Sequence, residues 1–215
     1  MEMSKKMLNA QRPTLNVQCR DGFTLIELLV VLSIIAILIG LLFPAFRSVL
    51  NQARKTQAKN DLAQMVIAVN GYYTEYGKYP LNDTDQGTEK TFASDNSNLL
   101  YALQAIALGD NAGNAINPRR IAFLHVQEAK DQTNPRSGTR NGSWYDPWGA
   151  TAGKPESGIY HVKIDGDYDD QVSNPYVSNA GPPTLQGGVI AWSLGKDGTQ
   201  GTNDFRASDD VISWQ

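Results

Sequence analysis

Side chains able to do chemistry gather in three places. Glu27 is a lone carboxylate near the front of an apolar run, where an ionised group lacks water and needs a partner. Asp165, Asp167, Asp169 and Asp170 alternate as at the start of an EF-hand. Position six of that frame is Asp170 rather than Gly and position twelve is Tyr176 rather than Glu, so the group reads as an exposed acidic turn. Asp197, Asp209 and Asp210, with Asp204 between them, lie near the C-terminus among Gly195, Gly198 and Gly201. Carboxylates on a loop are the ligands Ca²⁺ takes, but on these residues alone a solvated acidic loop is the simpler reading.

Enzyme chemistry finds little support. His125 and His161 are the only histidines, each on an expected strand, where surface or satisfied histidines are the ordinary case. The chain has no G-x-S-x-G, no H-E-x-x-H and no phosphate-loop spacing, and its one cysteine is Cys19. With 19 basic and 22 acidic residues the net charge is −3, which argues against nonspecific binding of nucleic acid.

The element that must position Glu27 runs from Gly22 to Phe46. Between Glu27 and Arg47 it carries no charge, and about 20 apolar residues at about 1.5 Å rise cover the roughly 30 Å of a bilayer's hydrocarbon core. It is too long for a signal-peptide core and closes on L-L-F-P-A-F rather than a small-x-small cleavage site. An ordinary anchor is the plain alternative, although the intramembrane carboxylate fits it poorly. Lys5, Lys6, Arg12 and Arg20 precede the run, predicting a cytoplasmic N-terminus and an exported head. Beyond it Leu62, Met65, Val66, Val69, Tyr72, Tyr73 and Tyr76 recur at helical steps, so one helix is expected to run on to a stop at Gly77 and pack one stripe on a head. Pro44 is expected to kink or loosen it.

Further along, Leu81 to Ser97 reads as loop, Asn98 to Leu108 as a short helix stopped by Gly109, and Ile121 to Val126 as a strand. Lys130 to Ser143 is polar and rich in breakers. The turn chemistry of W-Y-D-P-W-G, 144–149, is expected to lie against the core. Ile159 to Ile164, Gly188 to Leu194 and Val211 to Trp214 read as strands, the last at an edge. Helix first and antiparallel strands last predicts an α+β fold: a long N-terminal helix packed on a small antiparallel sheet.

The residues G-F-T-L-I-E, 22–27, resemble the processing site of type IV pilins and pseudopilins. That resemblance implies cleavage after Gly22 by a prepilin peptidase, methylation of the new N-terminal Phe23, and Glu27 and Pro44 as assembly residues in a pilin-like fold. The implied parts are a leader at 1–22, a membrane and filament-core half-helix at 23–46, an amphipathic half at 47–77 and a head at 78–215. Loss of the leader would leave 15 basic and 20 acidic residues, a charge of −5, with no cysteine. The ammonium of a neighbouring subunit's Phe23 could then pair with Glu27 and reward correct register.

K-Y-P at 78–80, D-P-W-G at 146–149, S-L-G-K-D-G at 193–198 and D-D-V-I-S-W at 209–214 are similar to the major pseudopilin of type II secretion systems. The stretch between Pro80 and Asp146 and the loop from Asp197 to Asp209 are longer than that family's pattern. This likeness implies a structural calcium held by Asp197, Asp209 and Asp210 with the carbonyls of Leu194 and Thr199, and Asp204 as a possible addition. It also implies a homopolymer joined by other pseudopilins, an inner-membrane assembly platform as partner, and a single-pass bacterial inner-membrane protein with a periplasmic head. A pilus subunit and a membrane-tethered binding domain are the alternatives.

Overall fold

A computed structural model describes residues 22–151, 154, 156–176, 178–201 and 203–215, leaving aside the side chains of residues 44 and 45. The leader expected at 1–22 lies outside the described residues except for Gly22. The chain divides into two units, with the boundary after Arg47.

Helix α1 covers Leu25–Tyr76. In the first unit every described side chain of the helix is exposed, including Leu28, Ile35 and Phe43, as expected of a segment whose apolar surface needs another solvent or other copies. The helix is long and apolar enough to cross a membrane. Its helical assignment continues through residue 44, so the local melting expected at Pro44 is not found.

In the second unit α1 buries Ala58, Leu62, Met65, Ala68, Val69 and Tyr72, one stripe at three- and four-residue steps. Each such large side chain contributes roughly 1.5–3 kcal/mol relative to exposure. Of the side chains expected in the stripe, Tyr73 is exposed instead. The stop falls where expected: Gly77 takes φ +67° and its N–H bonds the carbonyl of Tyr73 at 2.8 Å.

The strands are β1 (Lys90–Phe92), β2 (Gly138–Arg140), β3 (Ser143–Tyr145), β4 (His161–Ile164), β5 (Gln171–Ser173), β6 (Thr184–Gln186), β7 (Val189–Ser193) and β8 (Val211–Ile212). Four form an antiparallel sheet ordered β1-β4-β7-β8, and β2–β3 and β5–β6 are separate hairpins. Val189 and Ala191 join the core beneath α1, while Ile190 and Trp192 pack on the other face with Val172, Tyr176 and Leu185. Burial on both faces explains why β7 reads as a continuous apolar run.

Several local expectations are corrected. The loop expected over Leu81–Ser97 contains β1, which shows no alternation because only Phe92 of its three residues is buried. The second helix, α2, is Ser97–Leu103 and ends early. Ala105 takes φ 58°, and Gly109 opens a 3₁₀ turn instead of ending α2. Ile121–Val126, with His125 in it, is not a strand: the N–H groups of Phe123 and Leu124 both bond the carbonyl of Leu103, and Phe123 packs against Tyr72. The polar stretch Lys130–Ser143 contains β2, turned back into β3 by Asn141 and Gly142 at φ 50° and 84°, as a type I′ hairpin requires. The last strand stops at Ile212 rather than Trp214, whose indole donates to the carbonyl of Ala180 at 2.7 Å.

Candidate functional site

In the first unit the site is the front end of α1. Gly22 to Thr24 precede the helix. Thr24 donates from its N–H (2.9 Å) and its hydroxyl (2.7 Å) to Oε2 of Glu27, while the N–H of Glu27 donates back to Oγ1 of Thr24 at 3.3 Å. This is a capping box, and it satisfies amides that a helix start leaves orphaned. Glu27 was an expected site residue and Thr24 was not, although T-L-I-E carries the spacing of a capping box. Glu27 therefore has a partner within its own chain. Beside it Phe23, Ile26, Val30 and Val31 form an exposed apolar surface.

In the second unit the site is the loop between β7 and β8. One carboxylate oxygen each from Asp197, Asp209 and Asp210 come within 4.8 Å of one another. Asp197 accepts the N–H of Thr199 (2.8 Å), and Oδ2 of Asp209 accepts that of Lys196 (2.6 Å). Oδ2 of the buried Asp210 accepts the hydroxyl of Tyr176 (2.7 Å) and the N–H of Gly201 (2.8 Å). The Oδ1 atoms of Asp209 and Asp210 are buried and have no hydrogen-bond partner among the described residues. Burial foremost, and then repulsion from Asp209 and Asp197, raises the Asp210 carboxyl above its ordinary range. Crowded anionic oxygens without donors suit a hard divalent cation.

Leu194 follows β7 with its side chain in the core, and Thr199 sits beside Asp197 with its hydroxyl accepting Lys154 Nζ at 3.2 Å. Asp204 is engaged elsewhere, accepting from Asn179 Nδ2 (2.7 Å) and from the N–H of Arg206 (3.0 Å) to cap a 3₁₀ turn. Gly195 is required by geometry. Its φ is +65°, and a Cβ there would stand 2.7 Å from the carbonyl oxygen of Asp209.

Behind this loop lies Asp146, fully buried at the D-P-W-G turn. Its Oδ1 accepts the N–H groups of Trp148 (3.0 Å) and Gly149 (2.7 Å), and its Oδ2 accepts the hydroxyl of Ser193 at 2.5 Å. Ser193 Oγ in turn accepts the N–H of Gly195 at 3.1 Å. Burial pushes the Asp146 carboxyl up to about 7 despite these bonds. The acidic turn differs from the expected exposed one at its first residue. Asp165 is buried, and its carboxylate collects the N–H groups of Tyr168, Asp169 and Asp170, while Asp167, Asp169 and Asp170 face solvent. His161 is buried against Trp192, ring centroids 5.2 Å apart, and burial lowers it to about 4.

Residues 18–43 match the prokaryotic N-terminal methylation motif. Over 145 residues, 60% of this chain and 91% of the relative, the chain is 31% identical to Fimbrial protein Q of Moraxella bovis. The chain belongs to the type IV pilin-like family. This pilin-like chain is also 30% identical over 107 residues to the type IV major alpha-pilin of Moraxella bovis, covering 46% of this chain and 67% of that one. It is 40% identical over 70 residues to type II secretion system core protein G of Pseudomonas aeruginosa, covering 33% of this chain and 48% of that protein. No solved structure matches it. Its relatives are thus named both as pilins or fimbrial proteins and as a core protein of a type II secretion system.

Proposed function

We propose that this pilin-like chain is a pseudopilin, a structural subunit that polymerises into the periplasmic pseudopilus of a type II secretion system and catalyses no reaction. In this reading a prepilin peptidase cuts after Gly22 and Phe23 becomes the methylated N-terminus. The apolar half of α1 anchors the subunit in the bacterial inner membrane until an assembly platform draws it into a filament with its own copies and other pseudopilins. Glu27 leaves its bond to Thr24 for a neighbour's ammonium, so that correct register is rewarded by pairing two charges that a slip would strand.

The observation that carries the secretion reading is the junction of its two head motifs. D-P-W-G and S-L-G-K-D-G meet at the Asp146–Ser193 bond, directly behind the three carboxylates. Asp197, Asp209 and Asp210 hold the structural Ca²⁺ of this reading, with the Leu194 and Thr199 carbonyls completing an oxygen shell. The ion neutralises clustered charge and orders a cysteine-free loop. Deleting the gene in its host and restoring it tests the reading. Loss and recovery of protein export supports it; loss of surface pili with export intact contradicts it. That second outcome is the type IV pilus reading, which the extent of the likeness to Fimbrial protein Q favours.

A further inference from the structure

We infer that the head docks onto its next copy by seating the Asp167–Asp170 turn in a basic groove beside the end of the chain. This inference rests on the assembly reading and names the surfaces that assembly uses on the head. The groove, about 340 Å³, lies between the head half of α1 and the last strand. Its charged wall carries Lys55, Lys59 and Arg206, Phe205 supplies apolar surface, and the buried Val211 and Ile212 lie at its floor. Among the described residues none of the three cations forms an ion pair. The carboxylate in the lining, Asp210, already holds Tyr176 and Gly201 through Oδ2.

The turn is complementary in sign and already set in shape. Asp167, Asp169 and Asp170 are exposed and likewise form no ion pair among the described residues. The buried Asp165 fixes the backbone by accepting three of its amides. Tyr168 fixes it from outside, with its ring 5.4 Å from that of Tyr79 and its hydroxyl donating to Gln86 Oε1 at 2.9 Å. A preformed turn loses little entropy on docking, and opposite charges steer encounter and set register. Knob and groove are different patches of one head, so one copy's turn can fill the next copy's groove while its own groove stays open to a third. Such a head-to-tail contact gives an open helical filament when its rotation does not close into a ring, which is the geometry the assembly reading requires.

The test uses the full chain in its host, in a Cys19→Ser background that leaves no other cysteine. Carrying both Lys59→Cys and Asp169→Cys, the chain is treated with a short bismaleimide. A ladder of dimer, trimer and higher species is expected, and either cysteine alone should give none. Filaments without a ladder, or a product confined to dimer, would overturn the docking and leave assembly standing. Absence of filaments from the unsubstituted chain would overturn the assembly reading, and the docking with it. In a second measurement, Lys59→Glu with Arg206→Glu should lower filament yield about tenfold, and adding Asp167→Lys with Asp169→Lys should recover most of it. No recovery from folded subunits would contradict the pairing.

Discussion

Ser193 donates its hydroxyl to Oδ2 of the buried Asp146, and so ties the D-P-W-G turn to the strand that leads into the acidic loop. The two residues are 47 positions apart, and the bond turns two short motifs into one support. Through Ser193 the support reaches Gly195, where the loop begins with an N–H bonded to the same hydroxyl.

This support makes head stability depend on pH. In the folded chain the Asp146 carboxyl titrates near 7, against an unfolded value near 3.8, so the folded state holds its proton longer. Its contribution is therefore complete below about pH 4 and is lost as pH rises towards 7. One pKa unit is about 1.4 kcal/mol, so the loss reaches at most about 4 kcal/mol. Asp146→Asn should flatten the stability profile between pH 4 and 7, measured by denaturant unfolding with chelator present.

His161 has the opposite slope. Its folded pKa of about 4 lies below its ordinary 6.5, so the unfolded chain takes up the proton first and stability falls as pH drops from 6.5 towards 4. The imidazole should stay neutral by NMR titration down to about pH 4. Protonation near 6.5 would show that the ring is not buried against Trp192.

Calcium should stabilise the detergent-solubilised full chain. At a concentration 100 times Kd a single site adds about 2.7 kcal/mol. For a head of this size that is about 5–10 °C in Tm. Asp209→Asn or Asp210→Asn should abolish the increment and should leave the chelated protein no less stable, because each removes a crowded charge. Equal Tm with calcium and with chelator in the unsubstituted chain would exclude the site.

Thr24→Ala should loosen the front of α1 by about 0.5–2 kcal/mol, the ordinary cost of losing an N-cap. Amide exchange at Glu27 and Leu28, whose N–H groups bond Thr24, should quicken by roughly two- to thirtyfold in detergent, and Thr24→Ser should restore most of the protection. Unchanged exchange in the alanine variant would mean the capping box carries no weight.

How much of this was legible depended on length. The stripe from Leu62 to Tyr76 and the stop at Gly77 stood out because a helix repeats its period many times, and β7 stood out because burial on both faces made Val189 to Trp192 a continuous apolar run. β1 and β2 are three residues each and form because β4 and β3 offer them hydrogen bonds, which no local pattern records. Thr24 could have been found, since a threonine three residues before a glutamate is a helix-start signal. Asp204 could not be separated from the other loop carboxylates, because its cap to Arg206 and its bond to Asn179 depend on how the loop folds.

The account turns on what happens at the bond between Gly22 and Phe23. Mass spectrometry of the protein purified from its own host measures this directly. The account predicts a chain that begins at N-methylated Phe23 and lacks residues 1–22. A chain that keeps an intact Gly22–Phe23 bond would contradict it.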